Sequence, residues 1–213
     1  MTAILTETDP RTRMATAVQT AGAVIRGVRP DQLDDPTPCT EYDVRTLLGH
    51  LVEVLHRVAA AGRGDNPFLV DTPDPASVPD DSWADLWTIS AHAVRTSWAD
   101  DATLERTIVL PWVTAAGGDI LLSWASEITV HTWDVATATG QAVDWDDELL
   151  AVVEHVGHGM LPGEGRAEMF EAVRAKMPPE LARDVTRPFG DVVPVRADAP
   201  VIDRIVAWHG RQP

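Results

Sequence analysis

Residues 119–140, DILLSWASEITVHTWDVATATG, constrain the fold more than any other part of the chain. At 100° per residue, Ile120, Trp124, Glu127, His131, Asp134, Val135 and Ala138 fall in one stripe. The stripe begins and ends apolar, but its middle carries a carboxylate and an imidazole. Glu127 and His131 are four residues apart, so on a helix both project from one face, one turn from each other. A buried acid and base need each other or a third partner, because an unpaired charge in an apolar interior is costly. Two readings stand: a Glu–His hydrogen bond inside a helical core, or a metal ion as the third partner.

Three more helical patterns precede this one. Residues 9–29 form the first, with Asp9 and Pro10 suited to an N-cap and a first-turn proline. Met14, Ala17, Val18, Ala21, Val24, Ile25 and Val28 make its apolar face, and Pro30 stops it. Thr40 suits the N-cap of the second helix, with Glu41 and Asp43 in a first turn where negative charge matches the helix dipole. That helix runs to about residue 61, and Gly62 ends it. One core row holds Val44, Leu48, Leu51 and Leu55; the next holds Leu47, His50, Val54 and Val58. His50 therefore faces the core, and His56 lies at the edge. After a long proline-rich loop, Ser82 caps a third helix to about residue 100, with Trp83, Leu86, Trp87, Ser90, Val94 and Trp98 inward. His92 points away from that face.

Residues 107–110 read as an extended segment or small hairpin crossing to the fourth helix, 119–139, which Gly140 closes. Helices over 146–159, 165–177 and 199–209, with an extended, proline-punctuated stretch at 181–200, complete the chain. The pattern predicts an all-α protein: a four-helix bundle with long connections, a small extended segment and a short C-terminal helical extension. One domain spans 1–213, with a bundle core over 1–140 and the extension, 141–213, packed on it.

The chain carries a net charge of −16, which repels phosphates and argues against binding nucleic acid or an anionic membrane. Its one cysteine, Cys39, leaves no internal disulfide. The opening MTAILTETDPRTR lacks the charged, apolar, small order of a secretory signal, and no apolar run approaches the ~18 residues of a membrane span. The expectation is a cytoplasmic protein.

In a bundle, His50 on the second helix can meet Glu127 and His131 on the fourth. Two imidazoles and one carboxylate leave part of a metal's coordination sphere open, which is the catalytic rather than the structural type of zinc site. The same set can hold Fe(II) as a facial triad. TPCTEYDVRTLLGHLVE, at residues 37–53, resembles the second-helix motif of the DinB-like metal-binding bundles. More closely, it resembles the N-terminal domain of the mycothiol-dependent maleylpyruvate isomerase family. SEITVHTWDVATATG, at 126–140, resembles that family's fourth-helix motif, and the tail from residue 187 is similar to that of a short actinobacterial-type subfamily. Three matches in the same order cover most of the chain.

The resemblance implies a DinB-like fold and a divalent metal held by His50, Glu127 and His131, zinc foremost, with Fe, Ni, Mn or Co as other occupants. It also implies mycothiol as a thiol cofactor. The full isomerase carries a separate C-terminal domain that helps hold the thiol; this chain is expected to lack it, so no thiol-binding residue carries over. Asp134 is expected beside the ligand set, orienting an imidazole, and Trp133 in the core. The leading expectation is a metal-dependent, small-thiol transferase or isomerase acting on a small electrophilic molecule. The alternatives are a non-catalytic metal- or small-molecule-binding protein for sequestration or resistance, and a metal hydrolase using bound water.

Other residues carry weaker signals. Cys39 precedes a helix N-terminus, a place that lowers a thiol pKa, but it has no base partner and suits packing. Glu154, His155 and His158 form EHVGHG, where the glycines favour a helix end over a second metal site. Arg57, Arg63 and Arg95 could hold a carboxylate, though each is first a surface charge. An apolar face left on the extension would suit a homodimer.

Overall fold

A computed structural model describes residues 9–177 and 189–213. Helices α1 (Pro10–Gly27), α2 (Val44–Arg63), α3 (Trp83–Ser97) and α5 (Gly117–Thr139) are the four expected from periodicity. A short α4 (Asp101–Glu105) precedes strands β1 (Thr107–Leu110) and β2 (Val113–Ala116), and α6 (Asp147–Met160), α7 (Arg166–Arg174) and α8 (Val201–Trp208) follow α5. The architecture is the expected all-α, DinB-like bundle: α5 packs on α1 and α2, and α3 packs across the same two helices. Residues 1–8, which open the stretch read for a secretory signal, lie outside the described residues, as do 178–188, which include the front of the extended stretch.

The helix ends follow local chemistry. Asp9 accepts from Arg11 N at 2.9 Å and caps α1 ahead of Pro10. The cap of α2 is Asp43, not Thr40. Its carboxylate accepts from Thr46 N at 2.8 Å, while a turn closed by Tyr42 N to Cys39 O at 2.8 Å holds the residues before it outside the helix. Nor does Gly62 end α2. A side chain there would meet Trp98 Nε1 at 2.7 Å, so Gly62 is a packing glycine, and Gly64, at φ 85°, provides the left-handed C-cap. Asp100 accepts from Ala102 N at 3.0 Å and starts α4, a turn absent from the periodicity reading.

The core is built from the predicted faces. Val44, Leu47, Leu48, Leu51, Val54, Leu55 and Val58 of α2 are buried against Ile120, Leu121, Trp124, Ile128 and Val135 of α5 and against Trp83, Trp87, Val94 and Trp98. Each large aliphatic or aromatic side chain so buried contributes about 1.5–3 kcal/mol. The indole N–H groups of two of these tryptophans are satisfied across helices, Trp87 donating to Val18 O at 3.1 Å and Trp98 to Val58 O at 2.8 Å. β1 and β2 form an antiparallel hairpin with Leu110 opposite Val113, so the expected extended segment is a hairpin with a two-residue turn at Pro111 and Trp112.

The C-terminal helices close on the bundle: α6 packs on α5, and α8 on both. Arg204 of α8 pairs with Glu154 of α6 at 2.8 Å, and Trp208 Nε1 donates to Gly157 O at 3.0 Å. No described helix is long and apolar enough to cross a membrane.

Candidate metal centre

His50 stands on the inner row of α2, and Glu127 and His131 stand one turn apart on the facing side of α5. His50 Nε2 lies 3.2 Å from Glu127 Oε1. The imidazoles of His50 and His131 meet edge to face, with ring centroids 4.9 Å apart. One donor atom from each of the three residues lies within 4.8 Å of the other two. The side chains of His50, Glu127 and His131 keep 16%, 32% and 12% of their surface exposed, so the cluster opens to one side of the bundle rather than being sealed in it. Asp134, one turn past His131, is fully enclosed at 0% exposure and places Oδ2 3.0 Å from His131 Nδ1.

The electrostatics suit ionised acids around the His131 imidazole. Burial pushes the Glu127 carboxyl up, but the hydrogen bond from His50 and the charges of His50, His131 and Arg57 outweigh it and hold the group below the usual carboxylate range. Burial drives the His131 imidazole down, and its hydrogen bond to Asp134 opposes only part of that shift. Neutral His131 then donates from Nδ1 to Asp134, which leaves its lone pair on Nε2. Burial raises the Asp134 carboxyl, but hydrogen bonds from His131 and Arg211 overcome it, so Asp134 stays ionised.

These donors fit a divalent ion. Ligands about 2.1 Å from a tetrahedral zinc lie about 3.4 Å from one another, close to the 3.2 Å between His50 Nε2 and Glu127 Oε1. A metal-bound histidine usually donates its other ring N–H to a carboxylate or carbonyl, and His131 already does so.

Several groups around the cluster escaped the sequence reading. The Tyr42 ring lies 5.5 Å from that of His50. Glu53 sits 4.0 Å from His50 Nδ1, on the side away from Glu127, and is held by Arg57 at 2.6 Å. Their spacing was a usable signal, since Glu53 follows His50 by three residues and Arg57 follows Glu53 by four. The Arg57 guanidinium lies over the Phe68 ring at 5.7 Å, and Phe68 in turn meets Trp112 of the hairpin turn at 5.6 Å. Arg211, from beyond α8, binds Asp134 through Nε at 3.2 Å and Nη2 at 2.9 Å. Nothing local marked it.

The weaker candidates fall out differently. Cys39 is half-buried, with Sγ within 4.8 Å of donor atoms of His131 and Asp134. Burial, with the negative charges of Asp134 and Glu41, pushes its thiol pKa up rather than down, and the residue sits in a turn before Asp43 rather than in the first turn of α2. His56 bonds Asp71 O at 3.0 Å and Ser90 Oγ at 3.1 Å, away from the cluster. His155 and His158 are exposed, and His158 packs on Trp208 with ring centroids 4.2 Å apart. Arg63 pairs with Asp65 at 2.8 Å and Arg95 with His92 at 2.9 Å; of the three arginines, Arg57 is the one whose charge reaches Glu127. Trp133 packs, partly buried, against the core.

The profile of the mycothiol maleylpyruvate isomerase N-terminal domain family matches residues 14–136, more than half of the chain. The chain belongs to that family. The match contains α2 and the cluster-bearing part of α5, and so all of His50, Glu127, His131 and Asp134. Two uncharacterized proteins of Mycobacterium tuberculosis, from strains CDC 1551 and H37Rv, are each 29% identical over 203 residues, covering 95% of this chain and 98% of theirs. No solved structure matches.

Proposed function

We propose that His50, Glu127 and His131 hold one divalent ion, zinc foremost and Fe, Ni, Mn or Co by the same donors. The protein would use it to activate a small thiol of the mycothiol type toward a small electrophilic molecule, as a transferase or isomerase. What supports this most is the convergence, from two helices, of two imidazole nitrogens and a carboxylate oxygen within 4.8 Å. The family's description, which names mycothiol and an isomerase, supports the thiol part.

When bound, such an ion lowers the pKa of a coordinating thiol, so that the nucleophilic thiolate is populated near neutral pH. The chain's own residues set the rest. Asp134 keeps the His131 proton on Nδ1 and leaves Nε2 as the donor. Burial and the negative charges of its neighbours push the Tyr42 phenol up, so it stays protonated and can donate a hydrogen bond to an anionic oxygen. Arg57 contributes positive charge beside Glu127, and Phe68 with Trp112 forms an aromatic rim on its outer side.

Elemental analysis of the purified chain, followed by turnover assays on small electrophiles with and without mycothiol, tests the reading. One ion per chain, lost in His50→Ala, and turnover that depends on the thiol are the expected results. Absence of stoichiometric metal, with no change in His50→Ala, would overturn the metal assignment. Turnover of the loaded protein without any thiol would overturn the thiol assignment.

A further inference from the structure

We propose that Arg211, which lies beyond the family match and outside the four-helix bundle, is a positioning residue of the metal centre: it fixes Asp134, and through Asp134 the imidazole of His131. The proposal rests on the reading of His131 as a ligand.

The chain reaches the site by a specific turn. After α8, Gly210 adopts φ 86° and packs its backbone on Gly190, where an added Cβ would meet Gly190 Cα at 2.7 Å. The Arg211 N–H returns to Val206 O at 2.9 Å, which closes the turn and sends the side chain back toward α5. There the side chain is only 5% exposed. Nε and Nη2 grip the two oxygens of Asp134 at 3.2 and 2.9 Å, and Nη1 donates to His209 O at 2.9 Å.

This two-point grip fixes the plane of the carboxylate as well as its position, because the planar guanidinium presents parallel N–H groups to a carboxylate. The Oδ2 that Arg211 holds is the oxygen that accepts from His131 Nδ1. With Asp134 fixed, His131 has one tautomer and one ring orientation. Its Nε2 is presented to the cluster, so little conformational freedom remains to be lost when an ion binds.

A role as a mere clip for the tail fits less well. The C-terminal helix is already fastened to α6 by Arg204 with Glu154 at 2.8 and 3.1 Å and by Trp208 with Gly157 O at 3.0 Å. Among the described residues, the Arg211 side chain makes its hydrogen bonds to Asp134 and His209 O and none to α6. It spends its fork on the one carboxylate that also holds His131.

The test uses the full chain, with Zn2+ and Co2+ as probes, at a temperature where circular dichroism shows each variant folded. Zn2+ affinity is measured by competition with a chromophoric chelator, and the visible bands of bound Co2+ report ligand geometry. Arg211→Met should bind Zn2+ about tenfold more weakly or worse, with altered Co2+ bands. Arg211→Lys, which keeps the charge but not the fork, should recover part of the loss. Arg204→Met, which loosens the tail without touching Asp134, should lower stability and leave affinity and Co2+ bands unchanged.

Affinity of Arg211→Met within twofold of wild type overturns the proposal, as does an equal loss in Arg204→Met. Should Arg211→Met not fold, wild-type affinity in Arg211→Lys overturns it. Wild-type protein that takes up neither ion overturns the metal reading itself, and the proposal with it.

Discussion

Asp134 and Arg211 should behave as a single unit in a stability measurement. The two side chains have 0% and 5% of their surface exposed and share contacts at 3.2 and 2.9 Å, so neither charge has water to fall back on. Removing one partner of such a pair strands the other and costs about 3–5 kcal/mol. Asp134→Ala belongs at the upper end, because it also strips His131 Nδ1 of its acceptor. Arg211→Met belongs at the lower end, because Asp134 keeps its bond from His131. Removing both partners strands no charge, so Asp134→Ala/Arg211→Met should cost less than the sum of the single changes by about 2–3 kcal/mol. Urea unfolding of chelator-treated protein, followed by far-ultraviolet circular dichroism and tryptophan fluorescence, supplies all four corners of the cycle. The chelator matters, since a bound ion would stabilise each variant by a different amount. A coupling below about 0.5 kcal/mol, or single changes costing less than about 1 kcal/mol, would refute the desolvated pair and leave one worth no more than a surface salt bridge.

Three further outcomes follow from the same geometry. Burial, helped by the positive charges of Arg211 and Arg166, lowers the His209 pKa to about 4 from 6.5. The unfolded chain therefore binds the extra proton first, and the His209 contribution is complete above about pH 6.5. It is lost as pH falls toward 4, by about 3 kcal/mol in all; His209→Gln should flatten urea-derived stability against pH in that window, and an unchanged slope would refute the assignment. Gly210→Ala forces a side chain into a left-handed turn and against the Gly190 backbone, so it should cost about 2–4 kcal/mol and lower the melting temperature by roughly 5–15 °C in calorimetry. Zn2+ at a hundred times its dissociation constant should stabilise the wild-type chain by about 2.7 kcal/mol, and the shift should vanish in His50→Ala.

The bundle was legible because its information is local. The inward face read from α3 is the one that is buried: Trp83, Trp87, Ser90, Val94 and Trp98 are enclosed, and Leu86 is partly buried. α5 carries its polar side chains in the middle of an apolar stripe, as the spacing of Glu127, His131 and Asp134 implies. The errors were at ends, where several residues compete for one role. Thr40 and Asp43 are both competent caps, and only the turn that excludes residues 37–42 from the helix decides for Asp43. Gly62 and Gly64 are both competent stops, and the deciding fact is the indole of Trp98 packed over Gly62, a tertiary contact the periodicity of α2 does not contain.

The site divides along the same line. The pairing of His131 with Asp134 and the ion pair of Glu53 with Arg57 lie within one or two helical turns, and their spacings announce them. Convergence of His50 with Glu127 follows once four amphipathic helices are required to share a core. Arg211 is different in kind. It is 77 residues from Asp134, follows an eight-residue helix, and reads on its own as one more basic residue near a chain end. Its burial is set by three things no helical repeat encodes: a left-handed glycine, a backbone contact between Gly190 and Gly210, and the docking of α8 on α6. In an acidic chain such as this, a cation held at 5% exposure against a fully enclosed carboxylate has been placed by the fold at a desolvation cost. The cost falls on the acid that hydrogen-bonds His131, which ties the C-terminal extension to the side-chain cluster of the bundle.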